Sequence, residues 1–467
     1  MDNAAPHQRI FRRLSRNVVY LMADSAVANI SSFAILLIVA RAYWPAVVGQ
    51  VVTVMTIASV GILLGDLGNG QASTLLISRA LAGMGGPSPG RTAAAGLVQA
   101  AAGGLLLGAG VFFLPDLVAH LAERFGQAER AQEIIALRGI VRLSAVWVVV
   151  ATSLRQAGGV FAGFQKMQYT LAQDIVTQVP LLAITAAAAL AACEWQWIVR
   201  GWIGWYVVAA AVALGLLVTV VRRGGERFSL AGYRPLGRLR TGAALFTPIA
   251  AGFILQYLAI AIIWWMNTGE MGYRSVGFFA PLWTLTRGYE VLLMPLATAL
   301  LPAVSDAHGT RDPAVLASLV RRSLLVTGLA SVAILVMFVA VPHLFLGLFG
   351  AKYTVFVLPF VVLAFGVAFE SQRCALDPLL NGSGLARWVT AIDWAKFALL
   401  ALLAVPLFSR HYLTGMSIAF VGAFVPAWLA KVALIRWRLG IRILAPAAAL
   451  AALLAATVGV GLALRYL

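Results

Sequence analysis

Apolar runs close to 20 residues long recur from one end of this chain to the other, and no other feature constrains its fold as tightly. At about 1.5 Å of rise per residue, such a run crosses a hydrocarbon layer of roughly 30 Å as a helix. The runs are continuous rather than alternating, so helices, not barrel strands, satisfy the backbone inside the bilayer. The remaining polar sequence is too sparse to coat a water-soluble body. Only 11% of the 467 residues are charged and 61% are hydrophobic, against about 25% charged in a typical soluble domain. The expected fold class is therefore all-α and polytopic in the membrane. The spans fall at roughly 18–40, 46–67, 92–114, 138–163, 169–193, 198–221, 243–266, 275–303, 321–345, 354–380, 388–408, 412–435 and 444–465.

Charge placement orients this map. With Arg9, Arg12, Arg13 and Arg16 in the cytoplasm, cytoplasmic segments hold about 20 of the 35 Lys and Arg residues and outer segments about 9. That is the bias that orients helical membrane proteins. The net charge of +18 is then a topology signal and an attraction to anionic membrane lipid, and nucleic acid is not expected as a partner. The first apolar run is too long for a signal-peptide core and carries Asp24 and Asn29, so it is expected to remain as the first helix. Cys193 and Cys374 fall in different spans and suggest neither a disulfide framework nor a metal site. The longest inner loop is read as amphipathic enough to lie on the inner leaflet, through Phe228, Leu230, Tyr233, Leu236 and Leu239. The longest outer loop, 115–137, reads as an amphipathic helix with Glu123, Glu129 and Glu133 on its solvated face.

The basic stretch Arg222–Arg240 divides the spans into six before and six after. This predicts an N-terminal six-helix lobe over 1–221, a basic cytoplasmic linker over 222–242, a C-terminal six-helix lobe over 243–437 and an additional helix over 438–467. The lobes look like repeats. Aligning Gly49 with Gly277 sets Thr56 on Thr284. Phe125–Gly126 follows span three as Phe349–Gly350 follows span nine. Gly163 precedes Asp174 by eleven residues, as Gly382 precedes Asp393. An even number of spans separates equivalent points, so the repeats run parallel, an arrangement of transporters that rock two lobes about a central site.

With these features the chain resembles the polysaccharide-exporter (Wzx-type, O-antigen flippase) branch of the multidrug/oligosaccharidyl-lipid/polysaccharide flippase (MOP) superfamily. The resemblance rests on Asn17 and Tyr20, Arg41–Gly49, Asp66–Gly68 before Arg79, Gly272–Gly277, Pro302–Ser305, Phe349–Tyr353 and Gly382–Gly384. It implies 12 or 14 spans and a flippase, not an enzyme, in a bacterial inner membrane with a cytoplasmic N-terminus. It further implies export of an undecaprenyl-pyrophosphate-type oligosaccharide to the outer leaflet by alternating access. A monomer is expected, without cofactor, whose partners are the lipid-linked glycan, membrane lipids and other polysaccharide-biosynthesis proteins.

Charges inside the spans are the candidate site, because each costs about 2.5–3.5 kcal/mol at mid-bilayer and normally faces a cavity or a partner. Arg155, Arg287 and Arg373, with Lys396 and Arg142, are expected to form a cationic cavity for a pyrophosphate, which guanidinium groups bind bidentately. Asp24, Asp174, Glu290, Glu370, Asp377 and Asp393 are expected as acidic partners or ion-coupling groups, and Lys431 is a further cation within a span. Arg287 and Glu290 share a helix face, as do Asp393 and Lys396, and Glu370, Arg373 and Asp377. The alternative reading is of intrahelical ion pairs that let the helices insert. Pro281 and Pro295 flank Arg287 and are the expected hinges. The tryptophans around Trp195–Trp205 read first as an interfacial belt and second as a sugar-stacking surface. A cation-coupled multidrug exporter of the same fold is the nearest rival, and a membrane glycosyltransferase or polymerase a more distant one. No phosphate-binding Gly-Lys-Ser/Thr loop is present for direct use of ATP.

Overall fold

The computed structural model describes residues 6–81, 83, 87–231, 235–267, 270–289, 292–294, 297, 300, 304, 313–441 and 444–466. Among these no strand occurs, and nine helical stretches are long and apolar enough to cross a membrane. The helices are α1 (Pro6–Ala42), α2 (Pro45–Asp66), α3 (Asn69–Leu81), α4 (Pro89–Arg124), α5 (Ala128–Gly163), α6 (Met167–Leu190), α7 (Trp195–Arg223), α8 (Pro235–Met266) and α9 (Glu270–Thr286). They continue as α10 (Pro313–Ala340), α11 (Pro342–Leu348), a 3-10 turn (Ala351–Phe356), α12 (Val357–Glu370), α13 (Arg373–Gly382), α14 (Ala386–Leu439) and α15 (Leu444–Tyr466). The chain forms two compact units. Unit 1 comprises Met1–Ala42 and Gln50–Ala250, and unit 2 comprises Tyr43–Gly49 and Ala251–Leu467.

In unit 1 the helices approach through small residues. Gly96, Ala100, Gly104 and Gly108 recur every fourth position on the buried face of α4, while Leu105, Leu106 and Phe113 on its other face are exposed. Small residues let backbones close, and in lipid an exposed leucine is at home. A Cβ at Gly104 would stand 3.0 Å from Val149 of α5, and one at Gly103 only 2.2 Å from the Gly65 carbonyl of α2. The outer stretch 115–137, expected as an amphipathic helix, is helical as the continuation of α4 and of α5, with only Phe125–Gln127 between them. Pro115 sits within α4 without ending it. The stretch after span two, read as loop, is mostly α3. Its break from α2 is local: Leu67 and Gly68 take φ of 43° and 73°. The Asp66 carboxylate then accepts from Gly70 N at 3.2 Å, capping the first turn of α3. The linker expected over 222–242 is helical from Pro235 onward.

In unit 2, α14 is two helices in one hairpin, as the two spans expected over 388–435 require. Tyr412 has φ 52° and ψ −134°. A Cβ at Gly422 would lie 2.7 Å from Leu403, which a straight helix would hold far apart. Another close crossing joins the first turn of α2 to α9. A Cβ at Gly49 would fall 1.7 Å from the Tyr273 carbonyl, and one at Gly277 would fall 1.8 Å from the Pro45 carbonyl.

The turns after the two glycines that the sequence spacing pairs have the same form as the turns that end α4, α6 and α7, so their form alone does not mark a repeat. After Gly163, Phe164 N donates to Val160 O, Gln165 N to Ala162 O and Lys166 N to Phe161 O. After Gly382 the same three bonds recur at the same spacing, from Ser383 to Leu379, Gly384 to Asn381 and Leu385 to Leu380. Gln165 and Gly384 both adopt positive φ.

Candidate functional site

Unit 2 gathers half of the charges expected within spans into one cluster. The Lys396 ammonium lies 2.6 Å from Glu370 and 3.3 Å from Asp393, and Lys431 lies 2.6 Å from Asp377 and 3.0 Å from Asp393. Arg373 stands 3.7 Å from Glu370. Three cations meet three anions, so the cluster is neutral as a whole. Both lysine side chains are buried, at 1% and 3% exposure, whereas the Arg373 side chain keeps 30%. Only a compensated network of this kind is tolerable away from water. The pairs that the spacing suggests are present, Asp393 with Lys396 on one helix and Glu370 with Arg373 across the break between α12 and α13. The shorter contacts join different helices, α12 to α14 and α13 to α14, so the cluster stitches the unit together.

The helix break that carries this cluster is itself supported. Between α12 and α13, the buried Gln372 accepts from the Thr327 hydroxyl at 2.7 Å and donates to Ser331 Oγ at 2.8 Å, both on α10. Ser371 Oγ meets Ser331 Oγ at 2.8 Å. Aromatic rings wrap one side: the Lys396 ammonium lies 5.7 Å from the Phe424 ring, which contacts Phe420, and Phe420 packs on Trp283 and Phe279 of α9. Pro281 is buried within α9, and Arg287, half-buried, follows its last turn. Glu290 and Pro295 lie outside the described residues.

Unit 1 is built differently. Asp24 on α1 and Asp174 on α6 lie side by side as a carboxyl pair, and Asp24 Oδ1 is buried without a hydrogen-bond partner. Arg155 on α5 is exposed on this unit, within electrostatic range of the buried Asp66. Arg142 bonds Asp116 of α4 at 2.6 Å and lies 4.8 Å from the Phe112 ring; Arg138 shares the same carboxylate at 3.0 Å.

One buried cation in unit 1 escaped the sequence reading. Arg238, from the basic stretch, donates to Asn69 Oδ1 at 2.9 Å, to the Thr92 carbonyl at 2.9 Å and to the Ser73 hydroxyl. Gln156 donates to the same hydroxyl at 2.7 Å, and Asn69 donates to the Gly96 carbonyl at 2.8 Å. Gly96 is the residue that makes room: a Cβ there would fall 2.0 Å from Gln156 Nε2 and 2.5 Å from Arg238. Nothing in the order of Asn69, Ser73 and Arg238 along the chain announces their meeting.

The tryptophans divide between core and surface. Trp202 is buried and donates to Thr185 at 3.0 Å, and Trp205 donates to the Val176 carbonyl at 2.7 Å. Trp197 is exposed with Arg200 4.9 Å over its ring, as a belt residue would be.

A family profile described as "Polysaccharide biosynthesis protein" matches residues 14–308, more than half of the chain. No match was found among curated proteins. Among solved structures, an inward-facing multidrug resistance MATE family transporter of the MOP superfamily has a TM-score of 0.70 at 14% identity, covering 91% of this chain and 98% of that one. A MATE in complex with MaD3S gives 0.65 at 15% identity over 92% and 96%. A MOP superfamily transporter from Pyrococcus furiosus Vc1, reported with a reversed binding-pocket polarity that suggests a different function, gives 0.64 at 14% identity over 92% and 95%. At such identities the likeness is one of fold. The chain belongs to the polysaccharide biosynthesis protein family and has the helical fold of MOP superfamily transporters.

Proposed function

We propose that this protein is a flippase that moves a lipid-linked oligosaccharide of undecaprenyl-pyrophosphate type from the cytoplasmic to the outer leaflet of a bacterial inner membrane by alternating access. The observation that carries the reading is the family match over 14–308 in a chain with this transporter fold. The state of the cations agrees with it. Both buried lysines are enclosed with carboxylates, and the guanidinium groups are the more accessible cations: Arg155 is exposed, Arg287 half-buried, and Arg373, beside Glu370, keeps 30% exposure. Guanidinium groups that a headgroup reaches are the ones suited to a diphosphate, which they grip in a plane through two bonds. Outward movement of an anion is favoured by about 2.3 kcal/mol per charge per 100 mV across an inside-negative membrane. The Asp24–Asp174 pair supplies a place for a coupling cation or proton.

That same pair favours a second reading, a cation-coupled multidrug exporter. One experiment separates the two. Arg155→Ala and Arg287→Ala are expected to abolish surface glycan in a flippase-deficient strain at normal membrane protein level, and the lysine variants to rescue in part. Full glycan export by both alanine variants overturns the cationic-cavity reading. Drug resistance conferred by the parent chain and lost on Asp174→Asn would establish the rival.

A further inference from the structure

Beyond the groups considered for cargo, unit 1 holds a cavity of about 420 Å³ where the end of α3 and the start of α4 meet the segment that follows α7. Its polar lining includes Arg91, Thr92 and Arg238, and its apolar lining includes Leu76, Pro87 and Leu230. The volume lies within the range of small-molecule sites. We propose that this cavity binds the phosphate headgroup of an anionic membrane lipid.

The local chain fixes each polar group. Ser88 caps α4 by accepting from Arg91 N at 3.4 Å, which sets Arg91 on the first turn with its side chain exposed at the mouth. Arg238 is held at the inner wall by Asn69, Ser73 and the Thr92 carbonyl. Thr92 is 1% exposed, yet its hydroxyl has no hydrogen-bond partner in the protein. A buried hydroxyl left unpaired is costly and rare, and its residue lines the cavity together with Arg91 and Arg238. Two carboxylates temper the field: Glu226 accepts from Gly90 N at 3.3 Å at the α4 start, and Asp66 lies within electrostatic range of Arg238. Arg222, Arg223 and Arg227 beside them keep this end of the unit basic.

Charge explains the phosphate, and the apolar wall explains the lipid. Leu76, Pro87 and Leu230 offer nothing to a free hydrated anion but suit the glycerol and first methylenes of an acyl chain. The cavity also lies at the ends of helices long and apolar enough to cross a membrane, and basic pockets at such ends are suited to anionic headgroups. The site stands whatever the transported cargo is.

The test is native mass spectrometry of the full-length protein in neutral detergent, titrated with dioctanoyl phosphatidic acid, dioctanoyl phosphatidylcholine or inorganic phosphate. One phosphatidic acid is expected per chain. Arg91→Ala is expected to weaken it about tenfold or more, as loss of a charge-assisted bond does. Thr92→Val, which removes a hydroxyl the fold does not use, should weaken it about threefold. Ala95→Phe, which fills the cavity, should abolish binding, and Arg223→Ala, outside the lining, should leave it unchanged. Equal binding by the Arg91→Ala, Thr92→Val and parent proteins would overturn the site. Equal loss on Arg223→Ala would show diffuse charge in its place. Phosphatidylcholine binding as tightly would reduce the site to unspecific lipid contact, and inorganic phosphate binding as tightly would overturn its assignment to a lipid.

Discussion

Asp174 in unit 1 and Asp393 in unit 2 each follow the same hydrogen-bonded turn by eleven residues, yet they meet opposite neighbours. Asp174 lies beside another carboxyl, Asp24, whereas Asp393 lies between two ammonium groups, Lys431 and Lys396. Two positions that the sequence spacing pairs thus sit in a like-charge pair and at the centre of a neutral network. The difference teaches a division of labour. Unit 2 balances its charges internally, so its polar core is fixed and contributes to holding α12, α13 and α14 in register. Among the described residues, unit 1 shows no cation beside its carboxyl pair, an arrangement that is tolerable only with a proton, a cation or water in attendance. A group that needs a visitor is where coupling to transport is expected.

The largest test of this contrast removes one of the two enclosed ammonium groups. Lys431→Met leaves Asp377 and Asp393 facing each other without it, and breaking a buried ion pair from one side costs about 3–5 kcal/mol. Thermal unfolding in detergent should show a marked drop, and Lys431→Met with Asp393→Asn should recover part of it. An unchanged melting temperature for Lys431→Met would mean that the network is not structural.

A smaller effect is expected from the two aspartates themselves. Asp393→Asn keeps the shape but weakens two charge-assisted bonds, at about 1.5–3 kcal/mol. Asp174→Asn removes one of two like charges and should leave the melting temperature unchanged or raise it, while abolishing glycan export. If both substitutions destabilise equally, the two positions do the same job and the comparison fails.

How much of this was legible in the sequence depends on whether partners are near in sequence. Helical content and the hairpin across Tyr412 follow from run length. The pairs three residues apart, Glu370 with Arg373 and Asp393 with Lys396, follow from spacing. The contacts of Lys431 with Asp377, Arg142 with Asp116, and Arg238 with Asn69 and Ser73 join different helices, and no periodicity within a helix encodes them. The loop between spans two and three was overestimated because polar residues at a helix end read as loop, and there Asp66 caps α3. Over 115–137 the residues read as an amphipathic helix do lie on helix, Glu123 on α4 and Glu129 on α5. The match of Asp174 with Asp393 was legible as spacing, but spacing says nothing of the neighbour each residue meets, and that is where the two units diverge.

The finest version of the comparison concerns two buried glutamines, Gln156 beside Arg155 and Gln372 beside Arg373. Both are fully enclosed, at 0% exposure. Gln372 is used at both ends, by Thr327 and Ser331. Gln156 is used at one, donating to Ser73, while its Oε1 has no partner. Leucine at 372 should therefore strip two hydroxyls of a partner. Leucine at 156 removes an unsatisfied oxygen together with the one bond, and Ser73 retains Arg238. The expected cost of Gln372→Leu is about 1–2 kcal/mol and that of Gln156→Leu about 0–0.5 kcal/mol, because a lost hydrogen bond is offset when an unpaired buried group leaves with it. Paired melting curves resolve the difference. A larger loss at 156 than at 372 would mean that Gln156 serves the Arg238 network more than its single bond indicates, and unit 1 would then be the more tightly built of the two.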